Sequence, residues 1–163
     1  MNIQFFVRRS LLFAFAFTLA LAGLARSFDS ESDLKSLIEQ RQRFINYQQD
    51  FNDFSRAHIN NDFEYEIIIQ LGSVASENTG RIDSVKTLVE IYRGMSCKPD
   101  QLVVREYLRD QLDYYLKQTD IDLKGINSLL SATKLPAVSQ TAINMKNDLR
   151  EIRSRFEAIK ARE

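Results

Sequence analysis

Cys97 is the only cysteine in the 163-residue sequence, and it lies in the stretch RGMSCKPD, residues 93–100. A single cysteine has no partner for an intramolecular disulfide. In an oxidising compartment, an exposed thiol forms a disulfide with a second copy of the chain or with another protein. The alternative is a thiol packed beneath the turn, because free cysteine is among the most buried residue types. The chemistry that Cys97 offers is therefore an intermolecular disulfide, provided that its side chain is exposed.

His58 is the only histidine, so two-histidine zinc sites are excluded and a catalytic triad would depend on this one imidazole. No sequence context marks a nucleophile for such a triad. Haem is the remaining cofactor chemistry, because helical bundles hold b-type haem between an imidazole and a thioether, here from Met95 or Met145. The CxxCH motif of covalent attachment is missing. We favour the simpler interpretation of His58 as an ordinary inter-helix or surface residue, and we expect no cofactor.

The stretch DIDLKG, residues 120–125, begins like a calcium-binding loop, with Asp120, Asp122 and Gly125 at positions one, three and six. Position five is Lys124, where an oxygen ligand is needed, and position twelve is Ser131, where a bidentate glutamate is needed. The pattern therefore predicts a solvated stretch within or at a bend of a helix, and no metal site.

Two tyrosines are the clearest candidates for an interaction surface. Tyr107 and Tyr114 are seven residues apart and flank the main apolar face of a predicted helix. Rigid amphipathic rings of this kind are enriched in protein interfaces. The alternative is that both rings pack across to a neighbouring helix with their hydroxyls in water.

Residues 1–25 have the layout of a secretory signal peptide, in which two arginines precede an apolar run. The run covers residues 11–22 and is interrupted only by Thr18. Small residues place the cleavage site after Ala22 or after Ala25, and we favour the second. An uncleaved membrane anchor would need about 18 or more apolar residues, more than this run provides. We therefore expect export, with a periplasmic or secreted mature protein that meets a membrane only if the segment stays uncleaved.

The mature chain predicted in this way, residues 26–163, has the size of one domain. The first 25 residues carry two of the 22 basic residues and none of the 22 acidic ones, which leaves 20 against 22 and a net charge of −2. Proteins that bind nucleic acid concentrate positive charge on one face. We therefore expect no nucleic-acid partner.

The C-terminal half predicts a hairpin of two helices. The last helix begins at Pro136 and carries apolar residues at alternating spacings of four and three, a heptad pattern. These residues are Val138, Ala142, Met145, Leu149, Ile152, Phe156 and Ile159. The helix before it begins at Pro99 and ends near Ser131, so the short connection predicts an antiparallel, coiled-coil-like hairpin.

Further helices are predicted from Ser30 to about Ser55 and from Arg81 to Arg93, with boundaries near the glycines at 72, 80, 94 and 125. The first helix has an apolar face of Leu34, Leu37, Ile38, Phe44, Ile45, Phe51 and Phe54. Residues 63–71, FEYEIIIQL, alternate like a strand but have no second strand to pair with. Because Phe63, Ile67, Leu71 and Val74 share one helical face, we expect a helix there. The fold class is therefore all-α, an antiparallel bundle of four to five helices.

These observations together favour a non-enzymatic exported bundle that works through protein–protein interaction, as an adaptor, a chaperone-like protein or a self-associating envelope protein. The partner would be another protein or a second copy, which includes a homodimer. The alternative is a periplasmic bundle that binds haem or another small ligand, as a sensor or carrier. An enzyme is disfavoured because no set of catalytic residues can be identified.

Mass spectrometry of the exported protein tests the signal-peptide prediction. We expect a mature chain that starts at Gly23 or Arg26 and is recovered in the soluble fraction, because signal peptidase cleaves after small residues. Recovery of the intact 163-residue chain from membranes would show that the segment is an anchor.

Overall fold

Four long α-helices joined by three short connections make up a computed structural model of the chain, which describes residues 30–162. The helices are α1 (Ser30–Ala57), α2 (Asp62–Gly94), α3 (Lys98–Ala132) and α4 (Pro136–Arg162). No strand occurs within the described residues, so the all-α fold class is confirmed and residues 63–71 are helical. The predicted signal peptide at 1–25 lies outside this range. Within residues 30–162, no helix is both long enough and apolar enough to span a membrane.

The prediction of helix boundaries at internal glycines is wrong. Gly72 and Gly80 lie inside α2, which joins the segments predicted as two helices into one of 33 residues. Gly125 likewise lies inside α3. A glycine costs a helix only about 1 kcal/mol relative to alanine. In α2, the burial of apolar residues on both sides of each glycine offsets that cost, as with Leu71 and Ile82, which are fully buried.

Polar side-chain contacts show that the helices form a closed, antiparallel four-helix bundle. Side-chain hydrogen bonds connect each helix to the next one along the chain, and they also connect α4 to α1. One pair from each interface, taken in that order, is Arg41–Asp83 (2.6 Å), Asn78–Asp122 (2.8 Å), Arg153–Asp120 (2.8 Å) and Arg43–Asp148 (2.9 Å). In each pair of consecutive helices, residues far from the connection meet each other, as antiparallel neighbours with short loops must.

The contact between α1 and α4 includes a partly buried tyrosine. Tyr47 Oη donates to Asp148 Oδ2 at 2.6 Å, and Arg43 Nη1 donates to the other oxygen of the same carboxylate. Burial, together with this hydrogen bond, raises the pKa of the Tyr47 phenol above its ordinary value of 10.0. The phenol therefore stays protonated and keeps donating to Asp148 throughout the neutral pH range.

The core confirms the predicted face of the last helix. All seven residues of the heptad pattern between Val138 and Ile159 are buried. Two residues assigned to core faces in the N-terminal half are instead exposed, Ile38 at 50% and Phe63 at 60%. The core positions of α1 include the polar residues Asp33 and Gln40, which are both buried. A pattern of apolar residues cannot identify buried polar positions, so the predicted core face of α1 was partly wrong.

Glu64 anchors the connection between α3 and α4 to the start of α2. Its carboxylate is buried and accepts from Thr133 Oγ1 at 2.6 Å and from the backbone N–H of Lys134 at 2.7 Å. Its own backbone N–H donates to Asn61 Oδ1, the N-cap of α2. One side chain therefore fixes where α4 begins relative to α2.

Replacing Glu64 with alanine should lower the free energy of unfolding by about 2–3 kcal/mol, because two donors lose a charged acceptor in a buried position. Glu64→Gln, which keeps one acceptor oxygen, should cost roughly half as much. The control is Glu66→Ala at an exposed position whose carboxylate accepts from Gln70, where we expect a change within about 0.5 kcal/mol. Urea unfolding measures all three; equal effects of Glu64→Ala and Glu66→Ala would show that the anchor is not formed.

A candidate interaction surface on helix α3

Helix α3 carries a line of exposed apolar side chains. Val103, Tyr107, Tyr114 and Ile121 are spaced by four, seven and seven residues. At about 100° per residue, all four lie within about 40° of one line, which is about 27 Å long. Their exposed fractions are 67%, 53%, 53% and 59%. We call these four residues the α3 stripe.

The stripe is exposed because the other side of α3 packs into the bundle core. The buried residues of α3 are Leu108, Leu112, Thr119, Asp122 and Ile126. These positions lie roughly 80–160° around the helix from the stripe. Helix α3 is therefore apolar on two faces, of which the bundle core covers only one.

A buried polar cluster between α2 and α3 fixes how α3 is rotated. Asp122 accepts from Asn78 Nδ2 at 2.8 Å and also from Arg81 Nη1. Arg81 in addition donates to Asn78 Oδ1 at 3.2 Å and to Glu77 Oε2 at 2.8 Å. The side chains of Arg81 and Asp122 are only 10% and 9% exposed. The prediction that residues 120–125 form a solvated stretch is thus wrong for Asp122, although the stretch is helical as expected.

A groove between α2 and α3 adjoins the stripe. Its volume is about 350 Å³, and Leu88 of α2 and Tyr107 and Gln111 of α3 contribute to its lining. Tyr107 therefore belongs both to the stripe and to the wall of the groove. Ile91, three residues after Leu88, adds an apolar side chain that is 44% exposed.

The ring of Tyr114 contacts the ring of its neighbour Tyr115. Its centroid lies 5.6 Å from that of Tyr115, whose own ring lies 6.4 Å from that of Phe156 in the core. A chain of aromatic contacts thus runs from Tyr114 through Tyr115 to the core, while about half of the Tyr114 side chain stays exposed. A ring held in this way loses little conformational entropy when a partner covers it.

Cys97 lies in the connection between α2 and α3, six residues before Val103. It occupies the N-cap position of α3, makes no capping hydrogen bond through its side chain, and is exposed. The alternative of a thiol packed beneath the turn is therefore wrong. The intermolecular disulfide of Cys97 stays a prediction, since it requires a second molecule.

If His58 were a haem ligand, the methionine that provides the second axial ligand would have to lie at the same end of the bundle. His58 lies in the turn between α1 and α2, whereas Met95 follows the far end of α2, about 50 Å away along that helix. Met145 is buried in α4. The contact of Tyr47 with Asp148 places Met145 near the level of Asp50 in α1, about 12 Å along the bundle from the level of His58. The proposed axial pairs are therefore not brought together.

No cluster of three or more potential metal-ligating side chains occurs among the residues that the structure describes. Asp120 and Asp122, the first two residues of the calcium-like pattern, both lie within helix α3 and bind arginines on different neighbouring helices. Asp120 meets Arg153 of α4, and Asp122 meets Arg81 of α2. The two carboxylates therefore face different interfaces.

Sequence reasoning identified Tyr107 and Tyr114 but missed Val103 and Ile121. The four residues keep the spacing of one helical face, but the same helix carries a longer apolar pattern that predicts its core face, and the shorter pattern is less distinct beside it. Leu88 and the groove depend on the pairing of α2 with α3, which the spacing within one helix does not specify.

Comparison of the chain with protein-family models, with curated proteins and with solved structures finds no match.

Proposed function

We propose that this chain is an exported, non-enzymatic helical bundle that works by binding a protein partner, either another protein or a second copy of itself, through the α3 stripe. The observation that carries the proposal is the second apolar face of α3, which the bundle leaves uncovered. A helix that only needs to pack into a bundle requires one apolar face. The second face has no role in the core. We propose that it is apolar because a partner covers it.

The composition of the stripe supports protein binding. Two of its four residues are tyrosines, which contribute large contact areas through stiff side chains and are enriched at binding hot spots. The adjoining groove offers a recess beside Tyr107 in which a partner side chain could insert. Exposed apolar side chains aligned on one helix face beside a groove favour an interaction site.

Export rests on the sequence of residues 1–25, and with it the proposal of a periplasmic or secreted location. The coiled-coil-like character of the hairpin between α3 and α4 is supported by the buried heptad positions of α4.

A haem-binding bundle, the alternative function, has no comparable support, because His58 is separated from both methionines along the bundle.

Photo-crosslinking in the cell envelope tests this function. A photoreactive phenylalanine analogue that replaces Val103 or Ile121 should form a covalent adduct with the partner, because both positions would be covered on binding. The same analogue at Asn144, an exposed position of α4, should form none.

A second variant shows whether the adducts depend on the stripe. Tyr107→Lys with Tyr114→Lys should abolish the adducts at position 103, and it should change the free energy of unfolding by no more than about 1 kcal/mol, because both side chains are half-exposed. Adducts of equal yield at positions 103 and 144, or adducts that survive both lysines, would contradict the proposed function.

A further inference from the structure

We propose that the partner of the α3 stripe is a second copy of this chain, with the two α3 helices antiparallel about a two-fold axis that passes at Tyr114. This inference rests on the proposed function of the stripe and adds the identity and orientation of the partner. It is carried by the order of apolar and charged residues along the exposed face of α3.

The stripe is self-complementary under such an axis. Tyr107 lies seven residues before Tyr114 and Ile121 lies seven residues after it. A two-fold axis perpendicular to α3 at Tyr114 therefore places Tyr107 of each copy at the level of Ile121 of the other, while the two Tyr114 rings meet at the axis. An isologous interface requires this kind of internal symmetry in a single surface.

Charge selects the antiparallel orientation. Asp110 and Lys117 are both exposed and lie on the same edge of the stripe, four residues before and three residues after Tyr114. Neither forms an ion pair within the described residues. In the antiparallel arrangement, Asp110 of each copy lies near the level of Lys117 of the other. In a parallel two-fold arrangement, like charges would lie at the same levels on opposite edges of the interface, so neither charge would gain an opposite partner.

The size of the surface sets the expected strength. A stripe about 27 Å long with one adjoining groove falls at the lower end of specific interfaces, below about 1,200 Å² of total buried area. The mature chain predicted from the sequence carries a net charge of only −2, so long-range repulsion between copies is weak. We therefore expect a dimer that dissociates in the micromolar range.

The distance between the two Cys97 thiols distinguishes this dimer from one linked through a Cys97 disulfide. Cys97 precedes Tyr114 by 17 residues, which is about 25 Å along the helix, so the two thiols would lie about 50 Å apart. A disulfide requires Cα atoms within about 7 Å of each other. A Cys97 disulfide would thus join two copies at the ends of their hairpins, in an arrangement different from the one proposed.

Single cysteines in a Cys97→Ser background test the orientation. Tyr114→Cys lies on the axis and should form a disulfide-linked dimer under mild oxidation, as seen by non-reducing gel electrophoresis. Val103→Cys lies 11 residues from the axis, so its two thiols would be about 33 Å apart and should stay unlinked. Equal linkage at both positions would indicate a parallel dimer and overturn the proposal.

Charge reversal tests the same geometry without removing a tyrosine. Sedimentation equilibrium of the mature chain from roughly 1 to 300 μM should give a dissociation constant in the micromolar range. Asp110→Lys alone and Lys117→Asp alone should each weaken dimerisation at least tenfold, because each puts like charges together at two symmetric places. The double variant should restore the dissociation constant to within about threefold of the original. Glu39→Lys, an exposed charge reversal on α1, is the control and should have no effect.

The outcomes distinguish this inference from the proposed function. A monomer at every concentration, together with stripe-dependent adducts to a different protein, would overturn the self-association and leave the binding function standing. A dimer that is indifferent to Asp110→Lys would overturn the proposed geometry. A monomer that forms no adducts at the stripe would contradict both.

Discussion

The guanidinium of Arg81 meets the carboxylate of Asp122 inside the interface between α2 and α3, with Asn78 bound to both. Because both charged groups are almost fully buried, neither can be left without the other unless the protein loses several kcal/mol. A shift of α3 by one residue would rotate its side chains by about 100° and break this cluster. The pair therefore specifies which face of α3 enters the core, and with it the outward direction of the stripe.

The other interfaces depend less on their charges. Pairs such as Arg41–Asp83 and Arg153–Asp120 are substantially exposed, and exposed ion pairs contribute at most about 1 kcal/mol each. Apolar burial holds these interfaces together, as in α4, where every core position of the heptad pattern is buried. Apolar packing alone tolerates small rotations and slips of a helix. The buried pair removes that freedom at the helix that carries the candidate surface.

Much of the fold could be predicted from the sequence because the signals are local. Pro99 and Pro136 mark the starts of α3 and α4, and the alternation of four and three identifies the core of α4. The misplaced boundaries at Gly72 and Gly80 arose because a long, well-packed helix tolerates residues that would end a weaker one. Asp122 and Gln40 look like surface residues in the sequence. Only the pairing of helices shows that Asp122 has a buried partner, and the amide of Gln40 has none among the described residues.

A double-mutant cycle on Arg81 and Asp122, followed by urea unfolding, tests most directly whether this buried pair sets the position of α3. Arg81→Met alone and Asp122→Leu alone should each lower the free energy of unfolding by about 3–5 kcal/mol, because each leaves one buried charge without its partner. The double variant should be more stable than either single variant and lie about 1–3 kcal/mol below the original protein, because two apolar side chains can pack in the same space while Asn78 Oδ1 loses its donor. Single changes that each cost less than about 1 kcal/mol and simply add in the double variant would contradict the account.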